Sequence, residues 1–298
     1  MAFNYDQYIR GGKLPHIWCP GCTYGIVFKS ILRVVDTLKL NRDDIAMVSG
    51  IGCASRLPGY VDFNTLHTTH GRAPAFATGL KLARPEMTVI VVMGDGDSMS
   101  IGGNHLVHAM RRNIGLTAIV VNNSVYGLTG GQSSPTTPVG GRTTTARSGS
   151  FERPMNLEVL ARAAGAAFFA RATVNHTAGL TKMIERALGV SGFAMVEVIS
   201  NCHVLYGKMN ELGDAAKMMQ SMDRTTRRIN PVLLRRAERP LRLTWPGAPS
   251  WSVDAPPLEG IAEDDRTPRG VIFERKGSVD FGQRYYAMLE EIKARREK

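Results

Sequence analysis

The chain has 298 residues, of which 43% are hydrophobic and 21% are charged, so it can bury a core in one large or two small domains. No apolar run is long enough to span a membrane, and the first residues lack the apolar stretch of a signal peptide. We therefore expect a cytoplasmic protein with no membrane contact. Four cysteines are too few for a disulfide scaffold of this length and indicate metal or redox chemistry instead.

The formal net charge of +11 admits three interpretations. A basic surface can bind nucleic acid, but the Arg and Lys residues are dispersed and no nucleic-acid-binding motif occurs, so we expect no such partner. A basic surface can also attract an acidic protein over a long range. The third interpretation is an ordinary solvated surface, and composition alone does not choose between the last two.

Cysteines form the first candidate site along the chain. Cys19 and Cys22 make a C-x-x-C motif just before a predicted helix at 26–38, where the helix dipole and free amides stabilise thiolates. Cys53 and Cys202 each follow a predicted strand. Four thiolates suit Zn²⁺ and a [4Fe–4S] cluster equally well. Unconnected buried cysteines are a further alternative.

Apolar strand-like runs alternate with helix-like segments along most of the chain. The run at 89–93 is continuously apolar, as expected of a strand that is buried on both faces. The alternation predicts an α/β fold with a doubly wound, mostly parallel sheet. The other predicted strands are 45–49, 116–121, 167–170 and 193–199. Of the other predicted helices, one ends at 82, one lies between 94 and 116, and two cover 157–164 and 177–188.

A candidate metal site lies at the ends of two predicted strands. Asp95, in a Gly-Asp-Gly turn, follows one apolar run, and Asn123 follows the next. Ligands bind at the carboxyl ends of strands in open α/β sheets, and the peptide carbonyl of Val125 is a third oxygen close by. This set of hard oxygen ligands suits Mg²⁺, which takes its other ligands from a phosphorylated partner and water.

Two polar loops flank this site. His67 and His70 lie three residues apart in the first loop, and we interpret His67 as a loop residue without direct function. His70 is a candidate for active-site contact, because polar loop residues carry function more often than core residues. The second loop, 129–150, is rich in Gly, Ser and Thr and is predicted to be a long loop beside the metal site.

The spacing of Asp95 and Asn123 resembles the diphosphate-anchoring signature of thiamine diphosphate (ThDP) enzymes. The run at 123–135, NSVYGLTGGQSSP, is similar to the β subunits of 2-oxoacid:ferredoxin oxidoreductases. The resemblance covers residues 15–220 and implies a sheet of the ThDP diphosphate-binding type. It implies cofactor-binding roles for Ile51, Gly52, Cys53, His70, Gly94, Asp95, Gly96, Asp97, Asn123, Val125, Tyr126, Gly127, Leu128 and Thr129.

The same resemblance implies which metals the chain binds. The four cysteines would hold one [4Fe–4S] cluster, and Mg²⁺ would hold the diphosphate of ThDP. Thr23 departs from the family pattern, which usually has Gly after the C-x-x-C motif, so the local geometry there is in question while the ligands are unaffected. The implied cluster ligands are Cys19, Cys22, Cys53 and Cys202, and the implied magnesium ligands are Asp95, Asn123 and Val125.

The family resemblance also implies a reaction. ThDP acts as the electron sink while a 2-oxoacid loses CO₂, electrons pass singly through the cluster to ferredoxin, and coenzyme A takes the acyl group. Ferredoxins are acidic, which favours the second interpretation of the basic charge. The segment 14–22, LPHIWCPGC, most resembles the 2-oxoglutarate branch, so we expect reversible conversion of 2-oxoglutarate to succinyl-CoA and CO₂.

Arg56, three residues after Cys53, is the candidate to bind the substrate carboxylate, because a guanidinium binds carboxylates in a bidentate manner. His70 or the partner subunit would contact the distal carboxylate. Three alternatives remain: the same reaction on pyruvate or a branched-chain 2-oxoacid, a non-oxidative ThDP decarboxylase, and a regulatory iron–sulfur or zinc protein that binds a nucleotide diphosphate.

Composition changes beyond residue 222, where arginines and then prolines cluster. We predict a ThDP and cluster domain at 1–235 and an extended C-terminal arm at 236–298, with a terminal helix at 284–296, that packs on a partner subunit. A disordered tail is the alternative. ThDP enzymes use a second domain that supplies a carboxylate to the aminopyrimidine, so the resemblance implies a separate α subunit in an αβ dimer of dimers.

Overall fold

The computed structural model of the chain describes residues 3–228, 266–275 and 277–296. No helix in these ranges is both long and apolar enough to cross a membrane. The strands are β1 (Ile45–Ser49), β2 (Asn64–His67), β3 (Thr88–Gly94), β4 (Thr117–Asn122), β5 (Val125–Tyr126), β6 (Gln132–Ser133), β7 (Phe168–Thr173), β8 (Ala194–Ile199), β9 (Thr226–Arg228) and β10 (Thr267–Glu274). The helices are α1 (Tyr24–Thr37), α2 (Ala73–Ala83), α3 (Asp95–Met99), α4 (Gly103–Arg112), α5 (Leu157–Ala164), α6 (Thr177–Leu188), α7 (Ala215–Thr225) and α8 (Phe281–Arg296).

One sheet organises the described residues. Its strand order is β2-β1-β3-β4-β8-β7-β10-β9, while β5 and β6 pair separately as a short hairpin. All pairings in the large sheet are parallel except that of β10 with β7. The chain leaves β1 for β2 on one side and continues through β3 on the other, so the loops after β1 and β3 diverge. Such a switch point is where open α/β sheets bind ligands.

Helices cover both faces of this sheet. In β3, Ile90 and Val92 point into a core that includes α1 and α6. Val91 and Met93 point into a second core that includes α2, α4 and α5. All four side chains are buried. A strand with two buried faces must be apolar at consecutive positions, which explains the uninterrupted run in the sequence. The predicted doubly wound, mostly parallel sheet is confirmed.

Element bounds match the sequence expectation closely in β1, α5 and α6. The segment between β3 and β4 differs, because two helices replace the single predicted span. The break falls where Gly102 passes over Asp97, and a Cβ on Gly102 would lie 2.2 Å from the backbone oxygen of Asp97. The chain therefore needs a residue without a side chain at this crossing, and the helix restarts after it.

The predicted long loop at 129–150 is packed rather than structureless. It contributes β6, and five of its hydroxyl side chains are buried: Ser134, Thr136, Thr137, Thr143 and Ser150. Hydrogen bonds tie three of these hydroxyls to the residues that follow β3 and β4, including a 2.8 Å bond from Thr137 Oγ1 to the backbone oxygen of Ser124. The loop thus forms one wall of the site at the strand ends.

The C-terminal segment differs from the predicted arm. Part of the predicted arm, at 236–265, lies outside the described residues. Beyond it, β10 joins the large sheet beside β7, and Val271 and Ile272 are buried in the two cores. The terminal helix α8 begins at Phe281, three residues before the predicted start at 284. This part of the chain packs on its own sheet, so the predicted boundary at 235/236 divides strands of one sheet.

Asn113 ties the C-terminal segment to the sheet. It ends α4 with a φ of 56°, in the left-handed region. Its Oδ1 accepts a 2.8 Å hydrogen bond from the Phe193 amide before β8, and its Nδ2 donates to Ser278 Oγ (2.8 Å) and to the Val279 carbonyl (3.0 Å). One buried side chain therefore joins three segments that are distant in the sequence.

We expect Asn113→Ala to lower the free energy of unfolding by about 3 kcal/mol. The variant loses three side-chain hydrogen bonds, each worth about 1 kcal/mol, and places an alanine in the left-handed region at a further cost. Urea denaturation followed by circular dichroism measures the change. Asn104→Ala, at an exposed position of the same helix, is the control and should change the value by less than about 0.5 kcal/mol. Equal midpoints for the two variants would contradict the assignment.

Candidate functional site

The carboxylate of Asp95 is buried at the strand ends, with 2% of the residue exposed. Its Oδ2 accepts hydrogen bonds from Ser134 Oγ (2.5 Å) and Thr136 Oγ1 (2.7 Å). Burial raises the pKa of Asp95 above its usual value, and these hydroxyls oppose that rise. In the described part of the chain, no basic side chain forms an ion pair with it. A buried carboxylate with only neutral donors fits a site that a cation completes.

The turn after β4 brings Asn123 beside Asp95. The backbone amide of Asn123 donates to the Asp95 carboxylate. Asn123 Oδ1 accepts a 3.3 Å hydrogen bond from the Val125 amide, and Ser124 between them has a φ of 62°. This left-handed residue reverses the chain so that β5 can pair with β6. The three predicted magnesium ligands, Asp95, Asn123 and Val125, therefore lie in one turn and the strand end next to it.

The loop after β5 covers the start of α3. The Tyr126 ring lies over Gly96, where a Cβ would come within 2.2 Å of the ring. Tyr126 Oη also donates a 3.4 Å hydrogen bond to the Gly96 carbonyl. Leu128 is 47% exposed and Thr129 bonds only locally, through Gln132. The structure thus brings Tyr126 to the site, while Leu128 and Thr129 lie at the exposed tip of the hairpin.

Asp97 joins two loops of the site. Its Oδ1 accepts hydrogen bonds from the amides of Gly71 (2.7 Å) and Ile51 (3.2 Å). His70 Nδ1 lies 2.8 Å from the same oxygen, which leaves Nε2 as the ring nitrogen that faces away from Asp97. Gly50 passes so close that a Cβ there would lie 2.3 Å from Asp97 Oδ2. Asp97 therefore braces the loops around the site and orients His70.

Two of the four cysteines, Cys53 and Cys202, lie on the other side of the same hairpin, and the C-x-x-C pair Cys19 and Cys22 precedes α1. A Cβ on Gly127 would lie 3.5 Å from Cys53 Sγ, 3.7 Å from Cys202 Sγ and 3.7 Å from Asn123 Nδ2. Gly127 therefore separates the cysteines from the Asp95 site by the thickness of one backbone. Cys19 is exposed, whereas the other three cysteines are partly buried. In the described ranges no three His, Cys, Asp or Glu side chains are spaced to hold a single metal ion.

Burial makes the thiols poor acids in the absence of a metal. Burial, with a smaller contribution from the neighbouring cysteine thiolates, raises the pKa of Cys22 to about 11 and that of Cys53 to about 12. The pKa of Cys202 is also raised by burial. Backbone amides of Thr23 and Tyr24 donate to Cys22 and oppose the rise. A metal centre that displaces the thiol protons would offset these costs, and thiolate sulfur is the ligand type that Zn²⁺ and iron–sulfur centres take.

Thr23 and Tyr24, at the start of α1, hold the two regions together, and sequence reasoning missed both roles. Thr23 Oγ1 lies 2.7 Å from Ser200 Oγ and donates to Asn201 Oδ1 (3.1 Å), two buried residues next to Cys202. Burial raises the pKa of Tyr24 well above its usual range, and nearby Cys53 and Asp95 add to the rise. The hydrogen bonds of the Thr23 hydroxyl, which a glycine could not form, therefore align the C-x-x-C motif with the segment that carries Cys202.

A chain of buried, hydrogen-bonded polar groups also leads from Asp95 across the sheet to β8 and β7. Thr136 Oγ1 lies 2.9 Å from Asn122 Oδ1, and Asn122 Nδ2 donates to Glu197 Oε1 (2.8 Å). Glu197 in turn pairs with Arg171, at 2.6 Å, and both are almost fully buried. The signals of this network in the sequence are two isolated charges within apolar strands, Glu197 in β8 and Arg171 in β7.

Two predicted residues lie away from the Asp95 carboxylate. Arg56 is exposed on the 3₁₀ turn Ala54–Gly59 that follows Cys53, and it forms no ion pair with any described residue. His67 ends β2, with its Nδ1 2.9 Å from Ser49 Oγ. The sequence predicts a loop position for His67, whereas it is the last residue of β2, and the roles of His67, Arg56 and His70 stay predictions.

Several known proteins are similar to this chain. Residues 50–198 match the C-terminal TPP binding domain of thiamine pyrophosphate enzymes. Subunit KorB of 2-oxoglutarate synthase from Methanothermobacter marburgensis is 50% identical over 218 residues, which are 73% of this chain and 76% of that protein. The KorB subunit from Archaeoglobus fulgidus is 53% identical over 202 residues, 68% of this chain and 75% of that protein. This chain belongs to the KorB family.

A solved structure extends the similarity to the fold. The chain matches a 2-oxoglutarate:ferredoxin oxidoreductase from Magnetococcus marinus with a TM-score of 0.80 and 28% identity. The match covers 97% of this chain and 91% of that one, and that structure holds 2-oxoglutarate, coenzyme A and succinyl-CoA. The family resemblance and the ThDP-type fold expected from the sequence are confirmed. For a KorB family member, the buried Asp95 and Asn123 are the residues that fit a metal-held diphosphate.

We expect Asp95→Asn to separate cofactor binding from folding. Removing a buried, uncompensated charge should leave the cofactor-free protein as stable as the wild type or more stable. Added ThDP and Mg²⁺ should raise the melting temperature of the wild type and not that of the variant, with an affinity loss of about 100-fold or more. Differential scanning calorimetry measures both. Asp62→Asn, at a surface ion pair with Arg42, should keep the wild-type response, and ThDP stabilisation of Asp95→Asn would count against the site.

Proposed function

We infer that this chain is the β subunit of a 2-oxoglutarate:ferredoxin oxidoreductase, which converts 2-oxoglutarate and coenzyme A to succinyl-CoA and CO₂ in a reversible reaction. The observation that carries the proposal is that Gly127 lies next to Cys53, Cys202 and Asn123, beside the buried Asp95 carboxylate. A decarboxylation that releases electrons needs its electron acceptor at short range. A non-oxidative decarboxylase has no use for the cysteines.

Asp95, Asn123 Oδ1 and the Val125 carbonyl would hold Mg²⁺, and the metal would hold the diphosphate of ThDP. The two side chains are brought together by the turn after β4, and all three are hard oxygen donors of the kind that Mg²⁺ selects. ThDP supplies the electron sink for the loss of CO₂. The Tyr126 ring packs against Gly96 at the edge of this site.

Cys19, Cys22, Cys53 and Cys202 would hold one [4Fe–4S] cluster. Three supports are the mutual influence of the four thiols, the amides that donate to Cys22 and Cys202, and the family to which the chain belongs. Cys19 is the exposed ligand, so electrons would leave on its side toward ferredoxin. Thiolate ligands also need a reducing compartment, which supports a cytoplasmic location.

Arg56 and His70 would act on the substrate. The Arg56 guanidinium is exposed and available to a 2-oxoacid carboxylate, one turn after the cluster ligand Cys53. His70 keeps its Nδ1 side against Asp97, so its Nε2 can hold or donate a proton at the substrate side. The distal carboxylate of 2-oxoglutarate would be met by His70 or by a residue of the partner.

The proposal includes a separate α subunit, in an αβ dimer of dimers. The matched family model is the domain that binds the diphosphate, and the aminopyrimidine end needs another domain. Large apolar side chains are exposed near the strand-end loops, among them Ile101 (46%), Leu128 (47%) and Phe151 (78%). Their burial against a partner would stabilise the assembly. The net charge of +11 suits acidic ferredoxin as the electron acceptor.

Anaerobic assay of the chain with its partner subunit tests the proposal. We expect viologen reduction that requires both coenzyme A and a 2-oxoacid, with 2-oxoglutarate preferred over pyruvate and branched-chain 2-oxoacids. The chain alone should be inactive. Iron and acid-labile sulfide should be present, and Cys53→Ser should lose or destabilise the cluster absorbance.

Each alternative has its own signature in the same experiment. Stoichiometric zinc without iron would show a zinc protein. CO₂ release without viologen reduction would show a non-oxidative decarboxylase. A clear preference for pyruvate would replace the substrate and leave the reaction type in place.

We expect Arg56→Ala to lower kcat/KM for every 2-oxoacid by about 100-fold, equivalent to about 3 kcal/mol for the loss of a charged contact. Steady-state kinetics of the complex with 2-oxoglutarate and pyruvate measure the effect. Arg42→Ala is the matched control, because Arg42 is also an exposed arginine and pairs with Asp62 on the surface. An unchanged kcat/KM in Arg56→Ala would remove Arg56 from the substrate site.

A further inference from the structure

A cavity of about 290 Å³ lies between α6 and the strands β7, β10 and β9. None of the residues assigned above to the cofactor, the metals or the substrate lines it. No aspartate or glutamate of the described ranges lines it either, whereas five basic side chains do. These are Arg171, His176, Lys182, Arg228 and Arg269. The excess of positive charge in a concave site makes an anion the ligand that fits.

Two of these five basic side chains already have acidic partners. Arg171 pairs with Glu197 at 2.6 Å, and His176 Nε2 contacts Asp223. The other three, one each from α6, β9 and β10, form no ion pair with any residue in the described part of the chain. The cavity therefore holds about three positive charges that its own described walls leave uncompensated.

Arg228 and Arg269 are direct neighbours in the sheet. They are register partners in the parallel pair of β9 with β10, so both side chains leave the sheet on the same face. Like charges at such positions repel each other and destabilise the pairing. In addition, Arg269 Nε is buried and has no hydrogen-bond acceptor among the described residues. An unsatisfied buried donor is costly, so this pair lacks an acceptor that carries negative charge.

Helix α6 meets β10 with opposite charges at one end and like charges at the other. Near the end of α6, Arg186 donates to the Glu274 carboxylate on β10. One helical turn earlier, Lys182 lines the cavity together with Arg269. Lys182 is exposed and adds a third cation where the first contact has a carboxylate. An anion in the cavity would supply the missing negative charge at this end of the interface.

We propose that this cavity binds a phosphate group, either free or carried by a small metabolite, and that the bound group joins β9 and β10 to α6. Arg228 and Arg269 would contact the phosphate oxygens through their guanidinium groups, which bind phosphate in a bidentate manner. Lys182 would add a point charge. A volume of about 290 Å³ is at the lower end of small-molecule sites, which favours a small ligand. The inference does not depend on the proposed function.

Isothermal titration calorimetry of the full chain with sodium phosphate tests the site, at an ionic strength held constant with sodium chloride. We expect Arg228→Gln and Arg269→Gln each to weaken phosphate binding about tenfold or more, because each removes a charged hydrogen-bond donor. Arg33→Gln, at an exposed arginine of α1 that lies over the Tyr5 ring, is the matched control and should keep the wild-type affinity. Phosphate bound at the Asp95 site would not respond to these substitutions.

Thermal stability separates binding from a structural role of the arginines. Without phosphate, Arg228→Gln should melt at the wild-type temperature or above it, because the substitution relieves the repulsion between the two arginines. Phosphate should raise the melting temperature of the wild type and of Arg33→Gln, and not that of Arg228→Gln. A lower melting temperature of Arg228→Gln in the absence of phosphate would show a structural role and overturn the inference.

The same titration with AMP and with adenosine distinguishes the sources of the phosphate group. Equal affinity for inorganic phosphate and AMP would indicate a site for free phosphate, and tighter binding of AMP would indicate a phosphate ester. Either result supports the site if both glutamine variants weaken it. Binding of adenosine as tightly as AMP, no binding of either anion, or unchanged affinity in both glutamine variants would overturn the inference.

Discussion

The structure depends on a negative charge that is buried without a positive partner among the described residues. Asp95 ends a strand in the middle of the sheet, and neutral hydroxyls and amides are its only described donors. Such a group is unfavourable in a folded protein unless a cation completes the site. The turn after β4 and the wall formed by Ser134 and Thr136 converge on this carboxylate. Stability and the proposed cofactor binding would therefore oppose each other at Asp95, as is common at functional sites.

Close backbone approach is the second constraint. Gly96 lies under the Tyr126 ring, Gly127 lies against the cysteine sulfurs, and Gly102 crosses Asp97. At each position a Cβ would meet another group at or inside van der Waals distance, so the chain uses glycine to bring loops together. The result is a thin partition. A cofactor that releases electrons and a centre that accepts them can lie on its two sides without solvent between them.

Much of the site could be predicted because parallel strands end at one edge of a sheet. Asp95 and Asn123 are far apart in the chain, yet each follows an apolar strand, and that alone indicated that they meet. The same argument placed Cys53 and Cys202 near that edge. The hydroxyls of Ser134 and Thr136 were missed, because a Gly-, Ser- and Thr-rich segment has the same composition whether it is a solvated loop or a packed wall.

The sequence by itself determined the sheet, the two candidate metal sites and the family, because apolar periodicity and short local motifs are written in consecutive residues. Only the tertiary structure decided which groups share a contact. It showed Tyr24 bridging to Asn123, Asp97 bracing His70, and β10 returning to pair with β7 instead of continuing as an arm. These contacts join residues that are dozens of positions apart. Their geometry depends on packing directions and backbone turns that no local pattern encodes.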